Sequence, residues 1–191
     1  MKEIWRWILW VLVIAGLVGL VFQIIEPVSN VIFLKLHGNT VIRDKATAKD
    51  VQFAIHNFIS EYNDFPNLAG KPLEADIELE VAGELLDCLL GDKVAGNSRE
   101  ITFLNINTAR QGRAGVLETA EKRILVDQWG QAFRVRLDGD HDGNVTNPDT
   151  QNADKDIRQS GSEWLRTQVA VYSLGRDGEP FTEDDITSWR G

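Results

Sequence analysis

The chain begins with an apolar run and continues with segments of mixed character. From Trp7 to Ile25 the sequence carries no charged residue, and about 20 apolar residues suffice for a helix to cross a bilayer. Tryptophans, Lys2 and Arg6 at one end of the run are typical of anchors at a membrane interface. A cleaved secretory signal is the alternative, but no small-residue cleavage motif follows the run. The pattern therefore predicts a retained, single-pass transmembrane anchor over 1–26.

The region over 27–66 is predicted to form a stalk and an amphipathic helix. From Thr40 to Tyr62, apolar residues recur at helical spacing, with charged and amide side chains mostly on the opposite face. These apolar residues are Ala48, Val51, Phe53, Ala54, Ile55, Phe58, Ile59 and Tyr62. Because a proline disfavours helical conformation in the residue before it, we expect Pro66 to help end the helix within 63–66.

Shorter patterns over 67–191 predict one α+β domain. Residues 67–80 have the composition of a linker. The predicted elements are a helix over 81–90 that ends at Gly91, and strands over 100–104, 131–137 and 169–173. A polar insertion over 138–163 separates the last two strands. Two helices followed by a few short strands favour a helical stalk packed on a small antiparallel sheet.

The overall composition narrows the class of function. The chain has 191 residues, of which 43% are hydrophobic, so there is room for one globular domain and an appendage. The net charge of −9 and the pI near 4.8 argue against a nucleic-acid-binding protein, because such a protein needs basic side chains to displace counterions from phosphates. The single cysteine, Cys88, lies among apolar residues and is predicted to be a core residue.

The sequence lacks the motifs that would indicate catalysis. The three histidines, His37, His56 and His141, lie outside any recognisable nucleophile motif. The sequence has no phosphate-binding glycine loop and no zinc-ligand spacing. We therefore expect a non-enzymatic protein. A hydrolase that relies on carboxylates alone is the alternative that the sequence leaves open.

Two acidic segments have the chemistry of a calcium site, because calcium takes about six to eight oxygen ligands from carboxylates and carbonyls. The first runs from Asp138 through Asp140 and Asp142 to Gly143, which matches the opening of a calcium loop, and Asp149 stands at its twelfth position. A predicted strand precedes this segment and its twelfth residue is not Glu. A polar turn without metal is therefore the competing interpretation.

The second segment, Ser173 to Trp189, is the stronger candidate. Asp177, Asp184 and Asp185 are close enough in sequence for one loop to wrap an ion, and two glycines permit the turns that this needs. Without a cation, these like charges would repel one another. Ile186 and the terminal tryptophan favour burial. We therefore expect the segment to fold back onto the domain around a bound calcium ion.

Three stretches of the sequence resemble one protein family. The C-terminal SLGRDGEPFTEDDITSW matches the pattern S-L-G-x-D-G-x-P-x-x-x-D-D-I-x-x-W. The stretch LVDQWGQAFRV over 125–135 is similar to a D-P-W-G-x-x-Y strand, and TAKDVQFAIHNFISEYNDFPN over 47–67 to a helix that ends near a proline. These patterns are those of the type II secretion major pseudopilins, the G-type subunits of the type IV pilin superfamily. The resemblance covers roughly the C-terminal third of the chain and that helix.

The resemblance implies a metal site, a location and a mode of action. It implies that one Ca²⁺ ion is bound by the carbonyls of Leu174 and Glu179 and by the carboxylates of Asp177, Asp184 and Asp185. It also implies a single-pass anchor in the inner membrane and a pseudopilin-like globular domain over 67–191 in the periplasm. The expected partners are the membrane, other pseudopilin or secretion-system subunits and further copies of this chain.

The sequence departs from the family pattern at three places. Gln128 replaces the usual proline, and Val21 stands where the family has the glycine of its Gly-Phe-x-x-x-Glu processing site. The insertion over 138–163 is longer than usual. These departures leave a second interpretation open, in which the chain is a membrane-tethered periplasmic binding module that recognises a partner through this insertion.

Overall fold

The computed structural model describes residues 40–66, 75–93 and 96–190. The predicted anchor over 1–26 and the stalk up to residue 39 lie outside these residues. None of the helices that the structure describes is both long enough and apolar enough to cross a membrane. The described residues form an α+β fold, with one long helix and a small antiparallel sheet, as predicted.

The elements are numbered along the described chain. Helix α1 covers 40–62 and is followed by β1 (Ile77–Glu80), α2 (Gly83–Leu90), β2 (Gly115–Glu118), β3 (Arg123–Val126) and β4 (Arg134–Leu137). Next come β5 (Val145–Thr146), a 3₁₀ helix (Pro148–Gln151), α3 (Lys155–Ser160), β6 (Trp164–Leu165), β7 (Val169–Ser173) and β8 (Ile186–Thr187).

Helix α1 buries one face, as its sequence pattern predicts, except that Phe53, which the pattern placed among the buried residues, is 68% exposed. Ala48, Val51, Ile55 and Phe58 are each at most 1% exposed, and they follow the three- and four-residue steps that place side chains on one side of a helix. The helix ends at residue 62. Asn63 then takes a left-handed backbone conformation, with φ of 54°, and its N–H donates to the carbonyl of Ile59 at 2.7 Å.

The main sheet is antiparallel throughout and has the strand order β1-β4-β7-β8. Val135 on β4 pairs with Leu79 on β1 and with Val171 on β7, so apolar residues align across the sheet. The predicted alternation of β4 is confirmed, because Val135 and Leu137 are fully buried while the intervening Arg136 forms an ion pair with Glu78 at 2.8 Å.

The hydrophobic core lies where α1, α2 and the main sheet meet. Its members include Ile55 and Phe58 of α1, Leu86 and Cys88 of α2, and Val171 of β7. Cys88 is completely buried, which confirms its predicted place in the core. Each of these elements depends on the others, because none can remove its own apolar face from water.

Several predicted elements need correction. The helix predicted over 81–90 is confirmed as α2, and Gly91 ends it in a left-handed conformation with φ of 96°. The predicted linker over 67–80 contains β1. The strand predicted over 100–104 does not form. Instead, the N–H groups of Phe103 and Leu104 both donate to the carbonyl of Leu89 at 2.9 Å. These N–H groups therefore bond to the end of α2 and not to a neighbouring strand.

Two short antiparallel pairs lie outside the main sheet. Strands β2 and β3 form a hairpin, which the sequence patterns did not predict. Strands β5 and β6 pair within and just after the polar insertion over 138–163, which also holds the 3₁₀ helix and α3. The insertion over 138–163 therefore has regular secondary structure, although its composition is that of a loop.

Candidate functional site

The C-terminal segment folds back onto the domain, as its apolar residues predict. After β7 the chain turns at Gly175, and β8 returns beside β7, with Ser173 opposite Ile186. Ile186 is 2% exposed. The ring of Trp189 meets the ring of Tyr172 edge to face, with centroids 6.2 Å apart. The loop over 174–185, called the C-terminal loop below, therefore closes on the edge of the main sheet.

Gly175 allows the loop to close because it has no side chain. Its φ is +65°, and an added Cβ would lie 2.2 Å from the carbonyl oxygen of Asp184. Contacts that short do not occur in folded proteins, so any other residue would push the two ends of the loop apart. Gly178 differs, since a Cβ there would lie 2.8 Å from the side-chain nitrogen of Gln131, which is the end of a flexible side chain and can move away.

Asp184 holds the first turn of the loop. Its Oδ2 accepts hydrogen bonds from the N–H groups of Arg176 at 2.6 Å and Asp177 at 3.1 Å, and its Oδ1 accepts one from the Thr182 hydroxyl at 2.7 Å. Burial opposes ionisation of Asp184, but the hydrogen bonds from Thr182 and the two N–H groups outweigh it and lower its pKa. Asp184 is thus an ionised carboxylate at neutral pH.

Asp185 is the least satisfied group in the loop. It is 7% exposed, and the one hydrogen bond that it accepts from the described residues runs from the N–H of Thr182 to Oδ2, at 3.1 Å. Its Oδ1 is buried and has no hydrogen-bond partner among the described residues. Burial raises the pKa of Asp185 to about 6. A buried carboxylate oxygen without a donor costs free energy, which a cation bound at that oxygen would offset.

The other predicted calcium ligands lie in the same loop. Asp177 accepts a hydrogen bond from the N–H of Glu179 at 2.9 Å, and the Glu179 carbonyl accepts one from Thr182 at 3.4 Å. Leu174, whose carbonyl is the fifth predicted ligand, is 8% exposed at the end of β7. The donor set is entirely oxygen, which suits a hard cation.

The structure gathers these residues into one loop without bringing their carboxylates to a common point. Within the described part of the chain, Asp76, Asp138 and Asp140 are the only three acidic, histidine or cysteine residues whose ligand atoms all lie within 4.8 Å of one another. In the C-terminal loop, backbone N–H groups donate hydrogen bonds to the carboxylate oxygens instead. The calcium site predicted there stays a prediction.

The acidic cluster of Asp76, Asp138 and Asp140 lies between the start of β1 and the insertion. Asp138 is completely buried, and it accepts from the N–H groups of Asp142 at 3.0 Å and Gly143 at 2.9 Å. Burial raises its pKa. Asp76 accepts from the N–H and the hydroxyl of Thr146. Asp76 falls in the predicted linker, so only the pairing of β1 with β4 reveals it as part of this cluster.

Asp149, which holds the twelfth position of the first acidic segment, lies elsewhere. Its carboxylate accepts from the indole N–H of Trp189 at 2.8 Å and from Nε of Arg190 at 2.9 Å. Asp149 therefore fastens the insertion to the end of the chain. No signal in the sequence identifies this ion pair, because 40 and 41 residues separate the partners.

The insertion also contacts the C-terminal loop directly. The side-chain nitrogen of Asn152 donates to the carbonyl of Thr182 at 2.8 Å, and the N–H of Ala153 donates to the carbonyl of Phe181 at 2.7 Å. These bonds occupy backbone groups of the loop that would otherwise need water. The insertion and the C-terminal loop thus form one structural unit.

Asp127 connects the D-Q-W-G stretch to the same unit. It is completely buried, and it accepts from the N–H groups of Trp129 and Gln131 and from the hydroxyl of Ser173, each at 2.8 Å. Ser173 is the last residue of β7. The side chain of Asp127 therefore positions the start of the C-terminal loop, a role that the sequence motif alone did not indicate.

Comparisons of the chain with protein-family models, with curated proteins and with solved structures found no match. The function proposed next is therefore supported by the residues and contacts of this chain alone.

Proposed function

We propose that the chain is a membrane-anchored, pseudopilin-like structural subunit of a type II secretion or type IV pilus-like assembly, with a calcium-stabilised C-terminal loop. Its anchor lies in the inner membrane and its α+β domain in the periplasm. It has no enzymatic activity. Support for this proposal comes from the long helix packed on an antiparallel sheet and from the C-terminal sequence pattern that the loop carries.

The observation that supports calcium most directly is the buried, unpartnered Oδ1 of Asp185. Proteins rarely bury such an oxygen without a partner. Asp184 is already ionised, and the two carboxylates are neighbours in the chain, so a divalent cation would relieve their repulsion. With Asp177 and the carbonyls of Leu174 and Glu179, they supply five oxygen-bearing residues, and water would complete the coordination.

A bound calcium ion would stabilise the closed conformation of the C-terminal loop electrostatically. The loop leads into β8, after which Trp189 lies against Tyr172. It also receives the hydrogen bonds of Asn152 and Ala153 from the insertion. A closed loop therefore fixes a continuous surface that a neighbouring subunit can recognise, whereas an open loop would expose the edge of β7.

The test of calcium binding is the thermal midpoint of the full chain in detergent, measured in calcium and in chelator. A ligand that binds only the folded state stabilises it by about 2.7 kcal/mol at a hundredfold excess over its dissociation constant. We expect calcium to raise the midpoint of the wild type and of Glu183→Gln, a matched control at an exposed neighbour. Asp185→Asn should lose the rise. An equal rise in Asp185→Asn would refute the assigned ligand.

The test of assembly is sedimentation of the same protein across a concentration series. We expect larger particles in calcium than in chelator, and we expect Asp185→Asn to behave in calcium as the wild type does in chelator. A chain that stays monomeric at high concentration under both conditions would refute a structural role in a fibre, even if calcium raises its thermal midpoint.

A further inference from the structure

A pocket of about 200 Å³ opens between α1 and the β2–β3 hairpin. Asp44 and Thr47 of α1 line one side, and Asn107, Val126 and Gln128 line the other. A cavity of roughly 150 Å³ accommodates a benzene molecule, so this pocket has room for a small organic group. None of the residues predicted to bind calcium takes part in it.

Asp44 is the exceptional group in this pocket. It is only 2% exposed, and its one hydrogen bond among the described residues comes from the N–H of Gln128 to Oδ2, at a long 3.2 Å. The nearby Asp127 is also buried but has three donors at 2.8 Å. Asp127 is therefore satisfied within the fold, whereas the second oxygen of Asp44 accepts no hydrogen bond from the described residues.

A buried carboxylate with one weak donor is unfavourable unless it is protonated or paired with a cation. Burial raises the pKa of Asp44 to about 7, and the charge of Asp127 adds to the rise. The N–H of Gln128 and the charge of Arg43 act in the opposite direction. Arg43 is exposed at the rim of the pocket, and it is the only lysine or arginine among the described residues that line it.

We propose that the pocket binds a small organic cation, whose guanidinium or primary ammonium group pairs with the carboxylate of Asp44. Both groups carry several N–H donors and no acceptor, which matches an oxygen that lacks a donor. The apolar side chains on the hairpin side, such as Val126, would cover the methylene part of the ligand. The site differs from the calcium loop and does not depend on whether the chain assembles.

Binding of a cation at Asp44 depends on pH in a definite direction. The cation pairs with the ionised carboxylate, so below neutrality the carboxyl must first release its proton. Among the described residues, the other charged groups that act on Asp44 are Arg43 on α1 and Asp127 after β3, and burial raises the pKa of Asp127 as well. If Asp44 ionises with a pKa of about 7, affinity at pH 8 exceeds affinity at pH 6 by about tenfold.

The probe is agmatine, which carries a guanidinium and a primary ammonium group, titrated calorimetrically into the full chain in detergent. We expect binding that is about tenfold tighter at pH 8 than at pH 6. We also expect proton release at pH 6, seen as a difference in heat between two buffers of unlike ionisation enthalpy. Proton release is measured on the wild type, so this readout needs no variant.

Asp44→Asn removes the charge and keeps an oxygen for the N–H of Gln128. We expect it to lose agmatine binding, while Asp50→Asn, the same change at an exposed position of α1, keeps the wild-type affinity and pH dependence. The proposal is overturned if the wild type shows no binding at pH 8, if its binding releases no proton at pH 6, or if Asp44→Asn binds as tightly as the wild type.

Discussion

Replacing Asp44 by Asn should make the domain more stable at neutral and alkaline pH. In an unfolded chain this carboxyl ionises near 3.8, and in the folded domain its pKa is about 7, because of burial and then the charge of Asp127. Between these values the folded state holds a proton that the unfolded state has released. The free energy of unfolding therefore falls as the pH rises through this window.

The size of the effect follows from the two pKa values. Each difference of one pKa unit corresponds to 1.36 kcal/mol, so the full ionisation of Asp44 lowers the stability of the wild type by about 4 kcal/mol above pH 7. Water that enters the pocket reduces this penalty. We expect Asp44→Asn to exceed the wild type by about 2 to 4 kcal/mol near pH 8 and to match it near pH 4.

The assay is urea unfolding of the full chain in detergent, followed by tryptophan fluorescence at several pH values. Asp50→Asn, at an exposed position of α1, should leave the stability unchanged at every pH. Asp138, a buried carboxyl with a raised pKa that does not interact with Asp44, remains in both proteins and cancels in the difference. Asp127 interacts with Asp44, so the change in its own environment is part of the measured difference. A difference between Asp44→Asn and the wild type that is the same near pH 5 and near pH 8 would refute the reasoning.

Two further predictions test the C-terminal loop and its attachment to the insertion. Gly175→Ala should destabilise the domain by at least about 2 kcal/mol in urea unfolding, because the new Cβ meets the Asp184 carbonyl. Gly112→Ala should cost less, because Gly112 has a similar positive φ of +75° but open space around it. Equal costs would exclude the clash. Asp149→Ala and Arg190→Ala should show a coupling energy of about 1 to 3 kcal/mol in a double-mutant cycle, since the side chains are only 7% and 20% exposed. Additive losses of stability would mean that this ion pair does not hold the insertion.

The sequence predicted those elements whose pattern is local. Helix α1 follows from apolar residues at helical spacing, and α2 follows from a short apolar run that ends at Gly91. Strand β7 was predicted at its observed bounds. The return of the C-terminal segment was expected because Ile186 favours burial, and its 2% exposure bears this out. In each case the residues that determine the element lie close together in the sequence.

Other elements depend on partners that are distant in the sequence. Strand β1 is four residues long, and its alternation becomes a strand only because β4 supplies the hydrogen bonds. Over 100–104 a similar apolar alternation forms no strand, since the carbonyl of Leu89 takes its donors. Two short segments with apolar alternation therefore differ in structure because of the elements that lie beside them.

By itself, the sequence determined the acidic character, the amphipathic helix, the α+β class and the loop that carries the predicted calcium ligands. Only the tertiary structure decided which carboxylates keep an unpartnered oxygen. Asp44, Asp127 and Asp185 are all buried aspartates, yet Asp127 has three donors while Asp185 has a buried oxygen with none among the described residues. The donors come from other elements, and the energy of a buried charge depends on every group within a few ångströms, wherever it lies in the chain.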